Sequence, residues 1–334
     1  MLSSRELRAI LNHVVDGYIR LEDCTETQRA CIDDLIRQRL TGMPLAKIIG
    51  HKEFWKHRFI TTKDTLDPRP DSETLIEAVL KACPPSVFPG STTCGLVREI
   101  SSASSYRILD LGTGTGCLLI SLLHEYPKAT GVGVDISDKA LAVAKRNAVV
   151  LDQHDTVFPG VTGSSTVCVE PVSTGTQKMK AWIPAPTDSK RYAQESVTSG
   201  KPDQKSRYNF IQSNWCQNLS GAFDIIVCNP PYIDPSEAIN EGATFDPPLA
   251  LYGGIHTYEA ILQSIDKYLA KRPKHLFFEI GYTQAEAVTA LLQRYGYDDI
   301  QVFKDLAGLD RVICAFTQLE NGGNAAYDSE TPPI

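Results

Sequence analysis

A short apolar run, Tyr106-Arg107-Ile108-Leu109-Asp110-Leu111, feeds directly into Gly112-Thr113-Gly114-Thr115-Gly116 and then into a second apolar stretch beginning at Cys117. Strand, glycine-rich turn and helix in that order commit the chain to a layered α/β architecture, because the helix must pack back on the strand it has just left. The glycines let the backbone turn sharply beneath a ligand, and the helix N-terminus beyond offers free N–H groups and a positive dipole end. Loops of this kind also hold dinucleotides. Here, however, the spacing is Gly-x-Gly-x-Gly rather than the Gly-x-Gly-x-x-Gly of a pyrophosphate site, which points away from a dehydrogenase. The next apolar run, Gly131-Val132-Gly133-Val134-Asp135, ends in an acid that can accept both hydroxyls of a ribose. The plainer role for Asp135, capping a helix over residues 139–149, is better served by Ser137 or Asp138.

Further along, Phe223-Asp224-Ile225-Ile226-Val227-Cys228 runs into Asn229-Pro230-Pro231-Tyr232. A planar amide or exocyclic amine nitrogen has a delocalised lone pair, so an enzyme that alkylates it must hold its N–H groups with fixed acceptors. The Asn229 side-chain oxygen and the Pro230 carbonyl can each take one N–H, Pro230-Pro231 makes the turn rigid, and Tyr232 offers a ring face for stacking. Asn and Pro are also ordinary turn punctuation. Glycine loop, ribose acid and Asn-Pro-Pro-Tyr in this order form the layout of an S-adenosylmethionine-dependent methyltransferase acting on a planar nitrogen.

The chain has 334 residues and 42% hydrophobic content, enough for a large core and a second, smaller domain. Nine cysteines without Cys-x-x-Cys spacing argue against a disulfide framework and against a zinc site, so no metal is expected. No apolar stretch approaches the length of a membrane span, and the start at Met1 is a poor transit peptide, with acids at Glu6 and Asp16. A net charge of −7 disfavours a broad grip on nucleic acid, and no stable nucleic-acid binding is expected.

Residues 3–42 read as two or three amphipathic helices, with Leu7, Ile10, Leu11 and Val14 on one face and Thr25 as N-cap of the second. The domain reading is an N-terminal helical domain over 1–60 and a β-like linker, helix and surface loop over 61–105. A methyltransferase domain follows over 106–318, and a frayed tail over 319–334. From Tyr106 strands and helices alternate, the signature of a doubly wound parallel sheet. The stretch 152–206 lacks apolar periodicity and reads as an inserted disordered loop. The sheet resumes with Phe210 to Trp215, Phe223 to Asn229 and His275 to Gly281, and closes with an antiparallel strand at Arg311 to Phe316.

Several short segments carry a more specific likeness. They are Gly50-His51-Lys52-Glu53-Phe54-Trp55, Pro68-Arg69-Pro70-Asp71-Ser72-Glu73, Gln212-Ser213-Asn214-Trp215, Phe245 to Gly254, and Asp305 to Arg311. In these the chain resembles the HemK-type release factor glutamine N5-methyltransferases, departing at Ser72, where the family pattern has Thr, and at Asp246 and Pro248, where it has Glu and Arg. The resemblance implies a seven-stranded, Rossmann-like methyltransferase domain with a small N-terminal helical domain. It also implies S-adenosyl-L-methionine as cofactor, bound by Gly112, Thr113, Gly114, Thr115, Gly116, Asp135, Trp215 and Asn229, with Trp215 flanking the adenine. Asn229, Pro230, Pro231 and Tyr232 would hold the substrate amide, with Asn229, Pro230 and Tyr232 as the catalytic set. Apart from the resemblance, Trp215 reads as an ordinary aromatic at the edge of the core. Arg69, Asp71 and Glu73 read equally as shapers of the site mouth or as a helix-start ion pair and cap.

The implied substrate is the glutamine of a Gly-Gly-Gln tripeptide in a class I peptide-chain release factor, with the enzyme a monomer. Residues 1–60 are the candidate grip on the rest of that protein, the plainer reading being a stabilising cap for the catalytic domain. The N-terminal helices suit the bacterial and organellar branch, and the low-complexity insertions look eukaryotic and fungal-like. Together they favour a mitochondrial location, with the cytoplasm as alternative. Two rivals stand beside this reading. One is an adenine-N6 or guanine-N2 nucleic-acid methyltransferase using the same Asn-Pro-Pro-Tyr on an extruded base. The other is a non-catalytic protein that has kept the fold.

Overall fold

The computed structural model describes residues 2–15, 20–85, 105–154 and 206–317. Almost all of the expected surface loop up to residue 105, most of the insert at 152–206 and the tail at 319–334 lie outside the described residues. Residues 1–153 and 207–334 belong to one compact unit, which holds every element below apart from the last residue of α6.

Two helices open the chain, each started by a reciprocal cap. Ser3 accepts the Glu6 N–H at the start of α1 (Ser4–Val14) while the Glu6 side chain takes the Ser3 N–H, and Thr25 with Gln28 repeats the device at α2 (Glu26–Leu40). Each such cap is worth about 1 kcal/mol. Ile10 and Ile32, both fully buried, join Val15 and Cys24 in a small core between these helices. The short α3 (Leu45–Ile49) ends at Gly50, whose φ of 75° lets the chain reverse. A hairpin follows, β1 (His51–Phe54) paired antiparallel with β2 (His57–Ile60), so the β segment falls within 51–60 and residues 61–69 carry no strand.

The helix α4 (Glu73–Ala82) leads to the main sheet, whose alternation begins with β3 (Arg107–Leu111), α5 (Cys117–Glu125), β4 (Thr130–Asp135), α6 (Asp138–His154) and β5 (Tyr208–Gln212). It continues with β6 (Ile225–Cys228), α7 (Gly254–Tyr268), β7 (His275–Glu279), α8 (Ala285–Arg294), β8 (Asp299–Lys304) and β9 (Asp310–Phe316). The seven strands lie in the order β5-β4-β3-β6-β7-β9-β8, with β9 antiparallel to both its neighbours and the others parallel to β3. This is the doubly wound, seven-stranded methyltransferase sheet the sequence predicts. Two differences are local. The strand expected to reach Trp215 stops at Gln212, because Trp215 adopts a φ of 50° that no strand tolerates. The edge strand β8 is unforeseen, since its residues are mostly half-exposed and its apolar signal is short.

Alternation along the strands feeds two cores, one on each face. Ile108, Ile225 and Val227 pack with Leu75, Ile76, Val79 and Leu119, whereas Leu109, Ile226 and Cys228 pack with Ile261, Ile265 and Leu292. The chain enters the sheet at β3, winds outward to β5 and returns to β6. That reversal leaves a crevice beyond the C-terminal ends of β3 and β6, where doubly wound sheets bind ligands.

Candidate active site

Strand register brings the separate motifs together. Leu111 pairs with Val134 on one side and with Cys228 on the other, and Asp135 pairs with Gln212. The glycine loop, Asp135, the turn carrying Trp215 and the Asn-Pro-Pro-Tyr segment therefore leave the sheet from four adjacent strand ends. A Cβ placed on Gly112 would lie 3.9 Å from Trp215 Cζ3 and 4.0 Å from the Asn229 carbonyl oxygen, so the three residues share one wall.

The loop itself is held from below. Gly112, Gly114 and Gly116 all take left-handed backbone, with φ of 72°, 54° and 80°. At Gly116 space as well as φ is decisive, since a Cβ would sit 3.1 Å from Ile120 Cδ1 and 3.2 Å from Ala144 Cβ. Thr113 donates its N–H to the Val134 carbonyl at 2.8 Å and its hydroxyl to Asp110 Oδ2 at 2.6 Å. The Thr115 carbonyl accepts from Asn147 Nδ2 at 2.9 Å, and the same side chain bonds both backbone groups of Ile60, tying the hairpin to the loop. Asp135 accepts the N–H groups of Gly114 and Ser137, each at 2.9 Å. The capping of α6 falls to Ser137, whose hydroxyl oxygen accepts the Ala140 N–H, which leaves Asp135 facing the loop.

This end of the crevice is acidic. Burial pushes the Asp110 carboxyl up to about 7, against the Thr113 bond that lowers it, and Asp110 Oδ1 is buried with no partner among the described residues. Burial also raises Asp135, opposed by the backbone N–H groups it accepts. Carboxyl groups around a glycine cradle, with an indole at the rim, suit a ligand that pairs a ribose and adenine with positive charge. S-adenosylmethionine is such a ligand, and these residues fit it.

The other end is a cleft of about 290 Å³ whose lining includes Arg69, Asp71, Asn229, Pro230, Tyr232 and Glu279. Asn229 Nδ2 donates to Ser72 Oγ at 3.1 Å, and the Tyr232 hydroxyl donates to Glu279 Oε1 at 3.3 Å. The Pro-Pro turn is braced from behind: Ile233 donates to the Leu251 carbonyl, Gly253 donates to the Ile233 carbonyl, and Gln284 Nε2 donates to the Tyr232 carbonyl. Gly253 is required by close approach, because a Cβ there would lie 2.1 Å from Thr257 Oγ1 and 2.5 Å from the Pro231 carbonyl oxygen. Asn229 thus lines the cleft while its backbone borders the glycine loop and its side chain bonds Ser72.

Arg69 and Asp71 line the cleft, while Glu73 turns away and accepts the Trp55 N–H at 2.8 Å. Ser72, not Glu73, touches the Asn-Pro-Pro-Tyr segment, and it makes no capping bond to α4. Residues given no role in the sequence reading, Lys47, Asp67 and Glu279 among them, complete the surroundings. Lys47 reaches Asp67 at 2.9 Å and Asp246 at 3.0 Å, all three side chains being buried, and Arg69 also pairs with Asp246. Arg311 on β9 bonds Asp305 and lies 3.6 Å from Asp71. Glu279 ends β7 fully buried, and burial pushes its carboxyl up to about 7 although Ser72, Arg311 and Tyr232 pull the other way. Only the third dimension joins these groups, although Arg69, Asp246 and Arg311 each stood in a segment the sequence had marked.

Fold, glycine loop and acidic rim define the class, a methyltransferase of the kind that draws on S-adenosylmethionine. A family model described as a methyltransferase domain matches residues 102–157, and one described as an Eco57I restriction-modification methylase matches residues 131–283. A protein named release factor glutamine methyltransferase from Agrobacterium fabrum is 31% identical over 86% of this chain and 80% of its own length, and one of the same name from Rhodospirillum rubrum is 32% identical over 93% and 78%. The chain belongs to the release factor glutamine methyltransferase family. It is also 32% identical, over 93% of its residues, to a protein named bifunctional methyltransferase from Rickettsia felis, of which it spans 54%, about half the length.

Proposed function

We propose that this protein transfers a methyl group from S-adenosyl-L-methionine to the N5 amide nitrogen of a protein glutamine, and that the glutamine is that of the Gly-Gly-Gln tripeptide in a class I release factor. The observation that carries the reading is the juxtaposition, at one strand end, of the Asn229 amide and the Pro230 carbonyl with the glycine loop. A primary amide presents two N–H groups in one plane, and the Asn229 Oδ1 and Pro230 oxygen are two acceptors on one rigid turn. Among the described residues no protein donor reaches either oxygen. The Tyr232 ring stacks against the planar group, and the hydroxyl bond to Glu279 keeps that ring in place.

Bound at the glycine loop, S-adenosylmethionine supplies an electrophilic methyl group. The chain's own part is alignment: Asn229 and Pro230 fix the amide plane, the Pro-Pro turn stops it drifting, and the half-buried cleft limits water. No base is needed to start the reaction, because an amide nitrogen becomes acidic only after alkylation.

The match to the Eco57I-type methylase model, over residues 131–283, favours a second reading in which an adenine or guanine amine occupies the same acceptors. Purified protein incubated with isotopically labelled S-adenosylmethionine, release factors and oligonucleotides separates the two by mass spectrometry. A single labelled methyl on the Gly-Gly-Gln glutamine supports the proposal, and label on a base with none on protein overturns it. We further propose a monomer in the mitochondrion, on the insertions and N-terminal helices described above; gel filtration and organelle fractionation test both.

A further inference from the structure

We infer that Glu279 is the positioning residue of the site, the hub from which both the Asn229 amide and the Tyr232 ring take their orientation, with Ser72 as the relay to Asn229. The inference rests on the functional reading above and deepens it.

An asparagine side chain can present either its oxygen or its nitrogen to a ligand, and only its neighbours decide which. Here Asn229, which lines the cleft, gives its Nδ2 to Ser72 Oγ, 3.1 Å away, and so keeps Oδ1 free to accept. A serine hydroxyl, though, could equally donate to Asn229, and then the amide would turn round and present N–H groups to a substrate that also presents N–H groups. Something must use the serine's hydrogen. The Glu279 carboxyl stands beside Ser72, whose hydroxyl favours its ionised form. One of its oxygens, Oε1, takes the Tyr232 hydroxyl at 3.3 Å, and the other, Oε2, is buried with no hydrogen-bond partner among the described residues, an open acceptor beside the Ser72 hydroxyl. A carboxylate accepts and cannot donate, so it claims the hydrogens of both Ser72 and Tyr232. Ser72 is then left as an acceptor, and Asn229 has one way to face.

The same geometry makes the arrangement sensitive to protonation. Burial pushes Glu279 up to about 7, and the groups around it are Arg311 from β9, Asp71 and Ser72 from the segment before α4, Tyr232 from the Pro-Pro turn, Tyr258 from α7, Cys228 from β6 and Cys117 from α5. A protonated Glu279 becomes a donor itself. It frees the Ser72 hydrogen, so activity is lost as pH falls through the folded-state value.

The test measures kcat and KM for glutamine methylation across pH in wild type, Glu279→Gln, Ser72→Ala and Ser72→Thr, with cofactor affinity by calorimetry and a thermal melt for each. Wild type should lose kcat on the acid side with an apparent pKa near 7. Glu279→Gln should lose kcat on the order of 100-fold, the scale of a misplaced reacting group, with cofactor affinity within about twofold and a flat acid limb. Ser72→Ala should follow it, and Ser72→Thr should restore most of the rate. Glutamine methylation by Glu279→Gln and Ser72→Ala within about threefold of wild type, or an unchanged acid limb in Glu279→Gln, overturns the inference. Should Glu279→Gln fail to fold, the Ser72 pair decides alone. A wild type that never methylates glutamine overturns the functional reading instead, and the two failures are told apart by that control.

Discussion

Replacing Lys47 by methionine removes one ammonium from a place where two carboxylates depend on it. Lys47 Nζ lies 2.9 Å from Asp67 Oδ1 and 3.0 Å from Asp246 Oδ1, and it also donates to the Thr62 carbonyl at 2.8 Å. The three side chains are 5%, 4% and 0% exposed, so water cannot take over. Breaking a buried ion pair by removing one partner costs about 3–5 kcal/mol, since the remaining charge stays desolvated. Arg69 still faces Asp246, and the Thr61 hydroxyl still donates to Asp67. The lower end therefore applies, about 3 kcal/mol, equivalent to a fall of about 6–12 °C in Tm for a unit of this size. Asp246 also anchors the segment whose Asn240, Ala243, Ala250 and Leu251 wall the cleft. The variant should therefore raise KM for the protein substrate several-fold and leave the cofactor dissociation constant within about twofold. Thermal melts and urea titration read the stability, and steady-state kinetics with calorimetry read the rest. A Tm within about 2 °C of wild type, or a loss of cofactor affinity equal to that of substrate, would refute the reasoning.

On the proposed function, Asn229→Ala leaves one substrate N–H without an acceptor. It should cost roughly 2–4 kcal/mol of transition-state binding, seen as lost turnover with calorimetric cofactor binding retained. Asp135→Ala should behave in the opposite way, weakening the cofactor by roughly 10–100-fold in a direct binding titration, because two hydroxyl acceptors with a charge are lost together. His275 gives the fold a pH dependence of its own. Burial, helped by Lys274 and opposed by Asp224, pushes its imidazole down from 6.5 to about 4. Between those values the unfolded chain binds the proton and the folded one does not, so stability is lost as pH falls from 6.5 toward 4. The loss is about 2 kcal/mol once the ring's partial exposure is discounted. Asp110 and Glu279 act oppositely in part of that range, so the reading is the difference between wild type and His275→Phe in urea midpoints at pH 7 and pH 4.5, the variant losing less.

What could be read in one dimension was whatever is local. The glycine loop, Asp135 and Asn229-Pro230-Pro231-Tyr232 each occupy a few consecutive residues at a strand end, so backbone chemistry and strand patterning mark them directly. Their convergence also followed, because a doubly wound sheet places successive strand ends side by side. The polar network behind them was not legible. Ser72 and Asn229 are 157 residues apart, and Arg69 and Asp246 are 177 apart. A glutamate at the end of an apolar strand, as in Glu279, looks in the sequence like any solvent-facing strand terminus. Its burial is imposed by α4, the Pro-Pro turn and β9 closing over it. Trp215 shows the same limit from the other side: its aromatic character was visible, but the left-handed backbone that ends β5 early depends on the turn it makes.

The position of β9 bears on how the molecule is made. It lies between β7 and β8 and is antiparallel to both, yet it is the last of the three to be synthesised. Until residues Asp310–Phe316 emerge, β7 and β8 each present an unpaired edge, at a translation rate of roughly 5–20 residues per second. Arg311, the cation that sits against Asp305 and near Asp71, arrives on that same strand. Nascent chains halted before it would carry open β-edges and an uncompensated acidic crevice, substrates for chaperones or for aggregation rather than half-working enzymes. Closure of the sheet and the charge balance of the cleft therefore wait on the same late strand.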